Sequence, residues 1–283
     1  MPKPKVVLTG ATGYMAGRMR TKLQDRYDLT MLDVKSTDPE GNRIPDVHEV
    51  DLINRDRDQY RELFRGADAV VHSGFKGTVD SMHTDFWKEV DNVTMCYNVY
   101  QTCIEEGVRR LVMMSSNHAA DYYERLIWSD RLTFATPEMI ALSDNYYGWG
   151  KISYEALGFI FATGQMNEGK ILQNVQLRIG APRESVADGL SADNLKGMHR
   201  NLGAYLSARD QVQLIVKSIE TENIEDQNGV PFQIFYGISG NTHRFWTIEN
   251  ARRIIGYKPE DDSAIKFADK ISFVTGEAHK GYE

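Results

Sequence analysis

The apolar positions of this chain fall into short continuous runs separated by longer amphipathic stretches. The runs at 6–8, 69–71 and 111–114 contain only apolar residues, which is typical of strands buried on both faces of a sheet. The longest amphipathic stretch, 86–106, has the pattern of a helix. Strands and helices that alternate at this spacing predict a parallel sheet with helices on both faces, joined by right-handed crossovers.

The same patterns predict where each element begins and ends. Strands are predicted over 5–9, 28–32, 47–50, 69–72, 110–114, 175–179 and 232–236, and helices over 14–24, 56–64, 86–106, 146–164, 207–220 and 247–255. Between 115 and 145 the polarity is mixed and Pro137 interrupts the pattern. We therefore predict a long loop with a short helix in this segment.

Regularity falls after Ala181, where several glycines interrupt the pattern. We therefore predict a doubly wound α/β domain over 1–180 and a smaller lobe over 181–283. Within the lobe, the segment 207–236 is expected to return to the sheet. Ligands of such folds bind at the carboxyl ends of the strands, so the main domain is the candidate cofactor domain and the lobe the candidate substrate domain.

Composition narrows the class of protein. The chain has 283 residues, with 33 Lys and Arg against 40 Asp and Glu, 41% hydrophobic and 26% charged residues, and a formal net charge of −7. This ordinary globular balance excludes a disordered chain and a polybasic nucleic-acid binder. Two uncharged segments, 156–167 and 227–243, are too short and too polar to cross a bilayer, which takes ~20 apolar residues. No nucleic-acid or membrane partner is predicted.

The N-terminus and the cysteines indicate the compartment. The apolar run after the basic N-terminus spans only Val6 to Leu8, which is too short for a secretory signal. Cys96 and Cys103 are interpreted as two small buried residues in a reducing cytosol. Because there is no C-x-x-C motif and no Cys/His cluster, no metal site is predicted. These features predict a cytoplasmic protein.

A glycine-rich turn joins the first predicted strand to its helix. Gly10 and Gly13 allow the backbone to turn tightly and approach a pyrophosphate, which the N–H groups of the helix start can bind. Asp33 follows Gly13 by 20 residues and ends the second strand, where its carboxylate can accept hydrogen bonds from the adenosine ribose and would repel a 2′-phosphate. NAD is therefore predicted in preference to NADP, although Lys35 nearby leaves the strictness of that preference open.

A second group of residues has the chemistry of hydride-transfer enzymes. Tyr147 and Lys151 lie one turn apart on the same face of a predicted helix. An ammonium close to the phenol, together with a positively charged nicotinamide ring, stabilises phenolate and makes it a usable base. Ser115 and Ser116 end the fifth predicted strand, so that a hydroxyl can polarise the same substrate oxygen.

The order of these motifs resembles the extended short-chain dehydrogenase/reductases, over nearly the whole chain. The resemblance also includes the segment 66–68 before a strand that ends at His72. It implies a Rossmann-type domain with bound NAD, in which Tyr147 is the acid/base, Lys151 holds the nicotinamide ribose and assists Tyr147, and Ser116 polarises the substrate oxygen. It further implies that the two long helices, 86–106 and 146–164, pack across the interface of a homodimer.

The same resemblance implies which residues contact the cofactor. They come from the glycine turn, from the ends of the strands and from the two long helices. They are Gly10, Gly13, Tyr14, Met15, Asp33, Asp51, Leu52, Ser73, Gly74, Asn92, Ser115, Tyr147, Lys151 and Ile179.

A narrower similarity concerns the substrate. The segments 115–118, 177–180 and 206–210 look like those of uronate dehydrogenases, and 236–259 also looks like the archaeal NAD-dependent glucose-6-phosphate dehydrogenases. Both classes oxidise the anomeric carbon of a pyranose to a lactone. The resemblance implies that Asn117 and His118 hydrogen-bond sugar hydroxyls and that Arg200 binds an anionic group of the substrate.

Two departures from the uronate dehydrogenases keep the identity of the sugar open. This chain has Ala181 where those enzymes have a serine, and the loop 73–77 lacks their substrate-contacting serine but contains Lys76, a candidate substrate contact. The leading hypothesis is an NAD-dependent dehydrogenase that oxidises a hydroxyl of an aldose or a sugar acid, at C1 of a pyranose, and an anionic sugar is the expected substrate. The alternatives are a nucleotide-sugar epimerase or dehydratase with tightly held NAD, and a dinucleotide-sensing regulator.

Overall fold

A single parallel sheet of seven strands organises the molecule. The computed structural model describes residues 2–77 and 84–280. The strands are β1 (Lys5–Thr9), β2 (Asp28–Asp33), β3 (Val47–Glu49), β4 (Ala69–His72), β5 (Arg110–Ser116), β6 (Gln173–Ile179) and β7 (Phe232–Gly237). They are arranged in the order β3-β2-β1-β4-β5-β6-β7, and every neighbouring pair is parallel. The predicted doubly wound α/β sheet is confirmed.

Successive residues of the central strands belong to different hydrophobic cores. Val6 and Leu8 of β1 pack into the core on one face, whereas Val7 packs into the core on the other face. In β5, Val112 packs into the first of these cores and Leu111 packs into the second. Because side chains alternate across a strand, only a strand covered on both sides needs an unbroken apolar run.

Helices cover both faces and form the small lobe. They are α1 (Tyr14–Gly17), α2 (Arg20–Arg26), α3 (Phe86–Glu105), α4 (Glu124–Ile127), α5 (Tyr146–Thr163), α6 (Leu195–Ala204), α7 (Ala208–Glu220), α8 (Glu249–Ile255), α9 (Ser263–Lys266) and α10 (Ala268–Lys280). Helices α3 and α5 pack side by side on the same face of the sheet, where Tyr100 of α3 stacks on Phe161 of α5.

The strand order reverses between β1 and β4. From β1 the chain winds outward to β2 and β3, then returns to place β4 on the other side of β1. The loops that follow β1 and β4 therefore leave the sheet in opposite directions and open a crevice at the carboxyl ends of the strands. The glycine turn after β1 and the segment after β4 both lie at this crevice.

The helix predicted over 14–24 is in fact two helices. The hydrogen-bond pattern changes at Met19, whose N–H donates to the carbonyl three residues earlier, that of Ala16, and not to the one four residues earlier. Met19 also has a φ of −125°. Next to it, Arg18 reaches away from α1 and donates to the Leu206 carbonyl and to Gln211. This long-range contact with the second half of the chain lies at the break between α1 and α2.

The helix predicted over 56–64 is also different. The structure has two single 3₁₀ turns there, Arg57–Gln59 and Arg61–Phe64, separated by Tyr60 with φ −141°. The Tyr60 side chain is buried, and its hydroxyl donates to the Asn54 carbonyl. The Tyr60 side chain is therefore buried between two turns whose backbone is not α-helical.

The helix α6 was not predicted, because its glycines were interpreted as interruptions. A Cβ at Gly203 would lie 2.7 Å from the His243 carbonyl oxygen, so this glycine permits close packing within a continuous helix. Helices α9 and α10 were not predicted either. Val274 of α10 packs with Leu202 of α6 and Leu190 in a small separate core.

Three findings bear on partners and cofactors. No helix in the described part of the chain is long and apolar enough to cross a membrane. Within residues 2–77 and 84–280, no three His, Cys, Asp or Glu side chains are grouped as a metal site would require. Cys96 and Cys103 are both buried as free thiols, as predicted.

Candidate active site

A groove of about 630 Å³ follows the carboxyl edge of β1, β2 and β4. Most of the residues predicted to contact the cofactor line it, and Lys76, predicted to contact the substrate, lines one end. The lining residues from the prediction are Gly10, Gly13, Tyr14, Met15, Asp33, Asp51, Leu52, Ser73, Gly74 and Lys76. The topology therefore brings together residues that are up to 66 positions apart in the chain, from Gly10 to Lys76.

Backbone forms the floor of this groove. Gly10 has φ +66°, and a Cβ there would lie 2.5 Å from the Gly74 nitrogen. The turns after β1 and β4 therefore touch, and only glycine fits between them. Gly13 donates its N–H to the Gly10 carbonyl, which closes the turn before α1. A floor without side chains lets a pyrophosphate approach the backbone closely, so the residues present fit a dinucleotide.

The carboxylate of Asp33 is fixed at the far end of the groove. Its Oδ2 accepts from the Thr12 N–H at 2.9 Å and from the Thr12 hydroxyl at 2.8 Å, and its Oδ1 accepts from the Val34 N–H at 2.7 Å. These bonds tie the end of β2 to the glycine turn and present an anionic acceptor to the groove. Lys35 lines the same end.

Tyr147, Lys151 and Ser116 come together beside Phe75, which lines the groove, although none of the three is itself a lining residue. Helix α5 begins at Tyr146 and is capped by Asn145, whose side chain accepts from the Gly148 N–H at 2.9 Å. The ammonium of Lys151, 5% exposed, donates to the Met114 carbonyl at 3.3 Å and lies 5.3 Å from the centre of the Tyr147 ring.

The protein alone does not lower the pKa of the candidate base. Burial raises the pKa of Tyr147 to about 12, the hydrogen bond with Ser116 opposes this rise, and the carboxylates of Glu89 and Asp121 add to it. From the sequence we expected that Lys151 and a positive nicotinamide ring would together stabilise the phenolate of Tyr147. In the structure, burial dominates and raises this pKa, so a further positive charge next to Tyr147 would favour phenolate.

Lys151 is itself shifted toward neutrality. Burial lowers its pKa to about 8, and the negative charge of Glu89 partly opposes this. Glu89 lies on α3, is 1% exposed, and its Oε2 has no hydrogen-bond partner within the described ranges. Burial raises the pKa of Glu89 to about 7, against the attraction of Lys151. The two helices thus enclose a lysine and a carboxyl group that titrate near neutral pH.

A buried ion pair between Glu155 and Arg178 connects α5 to β6. Glu155, one turn after Lys151, accepts two hydrogen bonds of 2.8 Å from Arg178 of β6. Ser115 donates to the same carboxylate at 2.9 Å. Its side chain therefore faces this pair. Neither Ser115 nor Ser116 lines the groove, but the Ser116 hydroxyl meets Tyr147. Ile179 ends β6, packs against Gly237 and lies outside the groove lining as well.

The loop after β4 closes the groove beside the catalytic residues. Asn92 of α3 binds the Lys76 backbone twice, accepting from its N–H at 2.7 Å and donating to its carbonyl at 2.9 Å. Phe75 is thereby held with its ring edge-on to Tyr147, at 5.5 Å between centres, and 5.0 Å from the Lys151 Nζ. Asn92 thus positions this loop and is not itself part of the groove lining.

The predicted substrate residues lie on the 3₁₀ segment Asn117–Tyr123 and on α6. His118 is edge-on to Tyr147 at 5.3 Å, and its Nδ1 lies 2.6 Å from Asp121 Oδ2. Asn145 also donates to that oxygen, at 2.9 Å. Asn117 is buried and follows Ser116 directly. These contacts orient His118 toward the candidate base.

Arg200 of α6 meets the same segment from the lobe. Its Nε donates to both oxygens of Glu124, at 2.9 and 3.0 Å, and its Nη2 lies 3.8 Å from Asp121 Oδ1. Lys76 is paired in a similar way, with Asp91 Oδ2 at 2.7 Å.

Sequence reasoning missed several residues of this site, namely Phe75, Glu89, Asp121, Glu124 and Glu155. A signal existed for Glu155, which repeats the four-residue spacing of Tyr147 and Lys151 on one helix face. Acidic residues in an irregular segment, such as Asp121 and Glu124, give no comparable signal. Their role depends on contacts with α6, far along the chain.

Similarities to known proteins agree with this geometry. Three curated relatives are the NAD-dependent glucose-6-phosphate dehydrogenase of Haloferax volcanii, 27% identical over 92% of this chain and 94% of that protein; the uronate dehydrogenase of Pseudomonas putida, 28% identical over 93% and 86%; and the L-arabinose 1-dehydrogenase (NAD(P)(+)) of Haloferax volcanii, 28% identical over 92% and 98%.

A solved structure shows the same fold. The uronate dehydrogenase from Agrobacterium tumefaciens superimposes with a TM-score of 0.72, at 22% identity, over 96% of this chain and 90% of that one. Residues 6–156, which include β1 to β5 and both catalytic candidates of α5, match the NAD dependent epimerase/dehydratase family. This chain therefore belongs to the NAD-dependent epimerase/dehydratase family.

Proposed function

We propose that this protein is an NAD-dependent sugar dehydrogenase that oxidises a hydroxyl of its substrate by transferring hydride to NAD. One observation carries the proposal: Tyr147, Lys151 and Ser116 meet beside Phe75, which lines a groove whose floor is bare backbone and which also presents Asp33. The names of the curated relatives, which are dehydrogenases of glucose 6-phosphate, uronate and arabinose, support a sugar as the substrate.

The groove residues assign the orientation of the cofactor. The backbone at Gly10 and Gly13 would hold the pyrophosphate, and Asp33 would accept hydrogen bonds from the adenosine ribose, which favours NAD over NADP. Asp51 and Leu52 would flank the adenine. Bound in this way, NAD supplies a positively charged ring that accepts the hydride.

The chain's own residues handle the proton. Tyr147, as phenolate, removes the proton of the substrate hydroxyl, and its O–H bond forms as the carbon loses hydride. The Ser116 hydroxyl donates to the reacting oxygen and holds it against Tyr147. The Lys151 ammonium, fixed on the Met114 carbonyl, would hold the nicotinamide ribose and add positive charge next to the phenol.

The names of the relatives also bear on which carbon of the sugar is oxidised. One is named for oxidation at carbon 1 of arabinose, and the other names are compatible with the same chemistry. Oxidation of the hydroxyl on C1 of a pyranose gives a lactone, which is the reaction that we propose. Within this proposal the sequence favours an anionic sugar, with Arg200, Lys76, Asn117 and His118 as its contacts.

Two further properties belong to the proposal. We propose a homodimer formed through α3 and α5, because a groove between them is lined by apolar side chains that include Val93, Tyr97 and Leu157. Tyr97 and Trp149 are 44% and 38% exposed there. We also propose a cytoplasmic enzyme, in agreement with the two cysteines that stay reduced.

Net formation of NADH tests the proposed function. Purified protein is incubated with NAD and a panel of aldoses, uronic acids, sugar phosphates and sulfosugars, and the absorbance of NADH is followed. A dehydrogenase accumulates NADH with at least one sugar. An epimerase or dehydratase, which returns the hydride to its product, accumulates none while still converting a nucleotide sugar.

A further inference from the structure

The two cations assigned to a substrate anion are already paired with carboxylates of the chain. The guanidinium of Arg200 binds Glu124 through Nε and lies 3.8 Å from Asp121. The ammonium of Lys76 binds Asp91 at 2.7 Å. Neither cation therefore faces the site as an uncompensated positive charge.

The pair on Arg200 is protected from solvent. The side chains of Glu124 and Asp121 are 17% and 14% exposed, and that of Arg200 is 25% exposed. Burial raises the pKa of the Glu124 carboxyl above its usual 4.5, and the charge of Arg200 opposes this rise. At neutral pH, two carboxylates and one guanidinium give this corner a formal charge of −1, counted from Asp121, Glu124 and Arg200 alone.

An anionic sugar would meet a penalty at this corner. Glu124 is hydrogen-bonded to Nε of Arg200, so a uronate or phosphate that approached the Nη groups would come to lie beside the carboxylates of Glu124 and Asp121. Like charges in such surroundings repel strongly.

The polar atoms around Arg200, Glu124 and Asp121 match the uncharged hydroxyl groups of a sugar. The buried Nδ2 of Asn117 and the buried Oδ1 of Asp121 have no hydrogen-bond partner within the part of the chain that is described. One is a donor and the other an acceptor, and a sugar hydroxyl can serve both. Hydroxyl groups would therefore satisfy polar atoms that are otherwise left without hydrogen bonds.

We infer that the substrate is an uncharged aldose, and that Asp121 and Glu124 exclude sugar acids and sugar phosphates from the site. The inference rests on the proposed function as a sugar dehydrogenase and names the class of sugar. It replaces the anion-binding role of Arg200 with a role in holding Glu124 and the 3₁₀ segment Asn117–Tyr123 in place.

Matched pairs of sugars test this inference. The wild-type protein is assayed with NAD and D-glucose against D-glucuronate and D-glucose 6-phosphate, with D-galactose against D-galacturonate, and with L-arabinose. We expect kcat/KM for the neutral member of the accepted series to exceed that of its acid by at least ~10-fold, because the acid meets a like charge. A preference for the acid or the phosphate would overturn the inference.

A charge-removing variant separates this explanation from simple shape selection. Glu124→Gln keeps the size of the side chain and removes its charge, so the preference for the neutral sugar should fall by ~10-fold. Glu105→Gln is the matched control, because Glu105 pairs with Arg57 at similar exposure, 21% and 25%, at the distant end of α3. It should leave the preference unchanged. An unchanged preference in Glu124→Gln, with the fold intact by circular dichroism, would contradict the charge mechanism.

The wild-type panel alone decides the inference if Glu124→Gln does not fold. Absence of NADH with every sugar, while NAD still raises the Tm, would instead contradict the proposed sugar dehydrogenase activity, and with it the inference. That result is distinguishable from a preference for acids, which contradicts the inference and leaves the dehydrogenase intact.

Discussion

At the scale of single residues, the environment of Lys151 is the least ordinary feature of the site. An ammonium that is 5% exposed contacts the Met114 carbonyl and lies above the ring of Tyr154 at 4.4 Å. Glu89 lies near enough to this ammonium to raise its pKa. Glu89 packs against Gly150, where a Cβ would lie 2.5 Å from its Oε2. It therefore acts on Lys151 through its charge.

Removal of that charge should shift the pH profile. The negative charge of Glu89 raises the pKa of both Lys151 and Tyr147. Glu89→Gln therefore lowers both values, and we expect the alkaline limb of the kcat/KM profile, where the Lys151 ammonium is lost, to move to lower pH. The Lys151 ammonium, whose pKa is about 8, would be lost at a lower pH than in the wild type. The profile of initial rates from pH 6 to about 10, read against these groups, measures the shift.

Several other titratable and charged groups face the pair formed by Lys151 and Glu89. From α3 these are Asp85, Lys88 and Cys96; from α5, Tyr147 and Tyr154; and from β4, His72, whose pKa burial lowers to about 3. Glu106→Gln is the control, a carboxylate of 5% exposure at the end of α3 that pairs with Arg61. An unmoved alkaline limb in Glu89→Gln, with only the maximal rate changed, would show a purely structural role.

At the scale of elements, the start of α5 determines where the catalytic residues point. Asn145 caps the helix and also donates to Asp121, so one side chain fixes both the helix and the segment that carries His118. Gly148 lies against the His118 carbonyl and the Ser143 hydroxyl, and a Cβ there would overlap both. The approach of α5 to the segment after β5 therefore requires glycine at this position.

Gly148→Ala should destabilise the protein and displace α5. Insertion of a methyl group into a closed contact of this kind destabilises by ~1–3 kcal/mol, and the displacement of Tyr147 should lower kcat as well. Urea unfolding measures the free energy of unfolding. Gly17→Ala is the matched control, because nothing lies within 4 Å of a Cβ at Gly17. Equal stability of the two variants would contradict the close approach.

Some elements were predictable from the sequence and others were not. The strands were found because burial on both faces demands runs such as Val6–Leu8, and Tyr147 and Lys151 were placed on one helix face because they are one helical turn apart. Both signals are local. The break at Met19 and the close packing at Gly203 depend on residues far along the chain, Leu206 and His243 respectively, which no local pattern contains.

The candidate site shows the same limit. Glycine turns and strand ends indicated the groove, because the topology of a parallel sheet fixes where they meet. The carboxylates that pair with Arg200 could not be predicted, since Glu124 is 76 residues away in the sequence. Charge compensation across such a distance appears only in the folded chain, and it is the basis on which we infer an uncharged sugar.

At the scale of the whole molecule, the packing of α3 and α5 leaves an apolar surface. Phe86, Trp87, Tyr146 and Trp149 form one aromatic cluster at its end, with Phe86 at 5.1 to 5.5 Å from the other three rings. All four are at least 37% exposed. Large exposed apolar patches of this kind mark interaction surfaces.

Tyr97→Glu should dissociate the proposed homodimer. Tyr97 lines the groove between α3 and α5 together with Val93 and Leu157, and a charge placed against these apolar side chains in an interface is unfavourable. Sedimentation velocity should show a dimer for the wild type and a monomer for the variant. Phe273→Glu, at a more exposed aromatic of α10, should stay dimeric. A monomeric wild type at micromolar concentration would contradict the assignment of this interface.

The replacement of Tyr147 by phenylalanine tests the central claim most directly. Loss of the phenol removes the proton acceptor and leaves the groove intact, so we expect kcat to fall by at least ~100-fold while the Kd for NAD, measured by calorimetry, stays nearly unchanged. Tyr146→Phe, at the neighbouring and 47% exposed tyrosine, should keep its activity. Turnover of Tyr147→Phe within a few-fold of the wild type would contradict the mechanism.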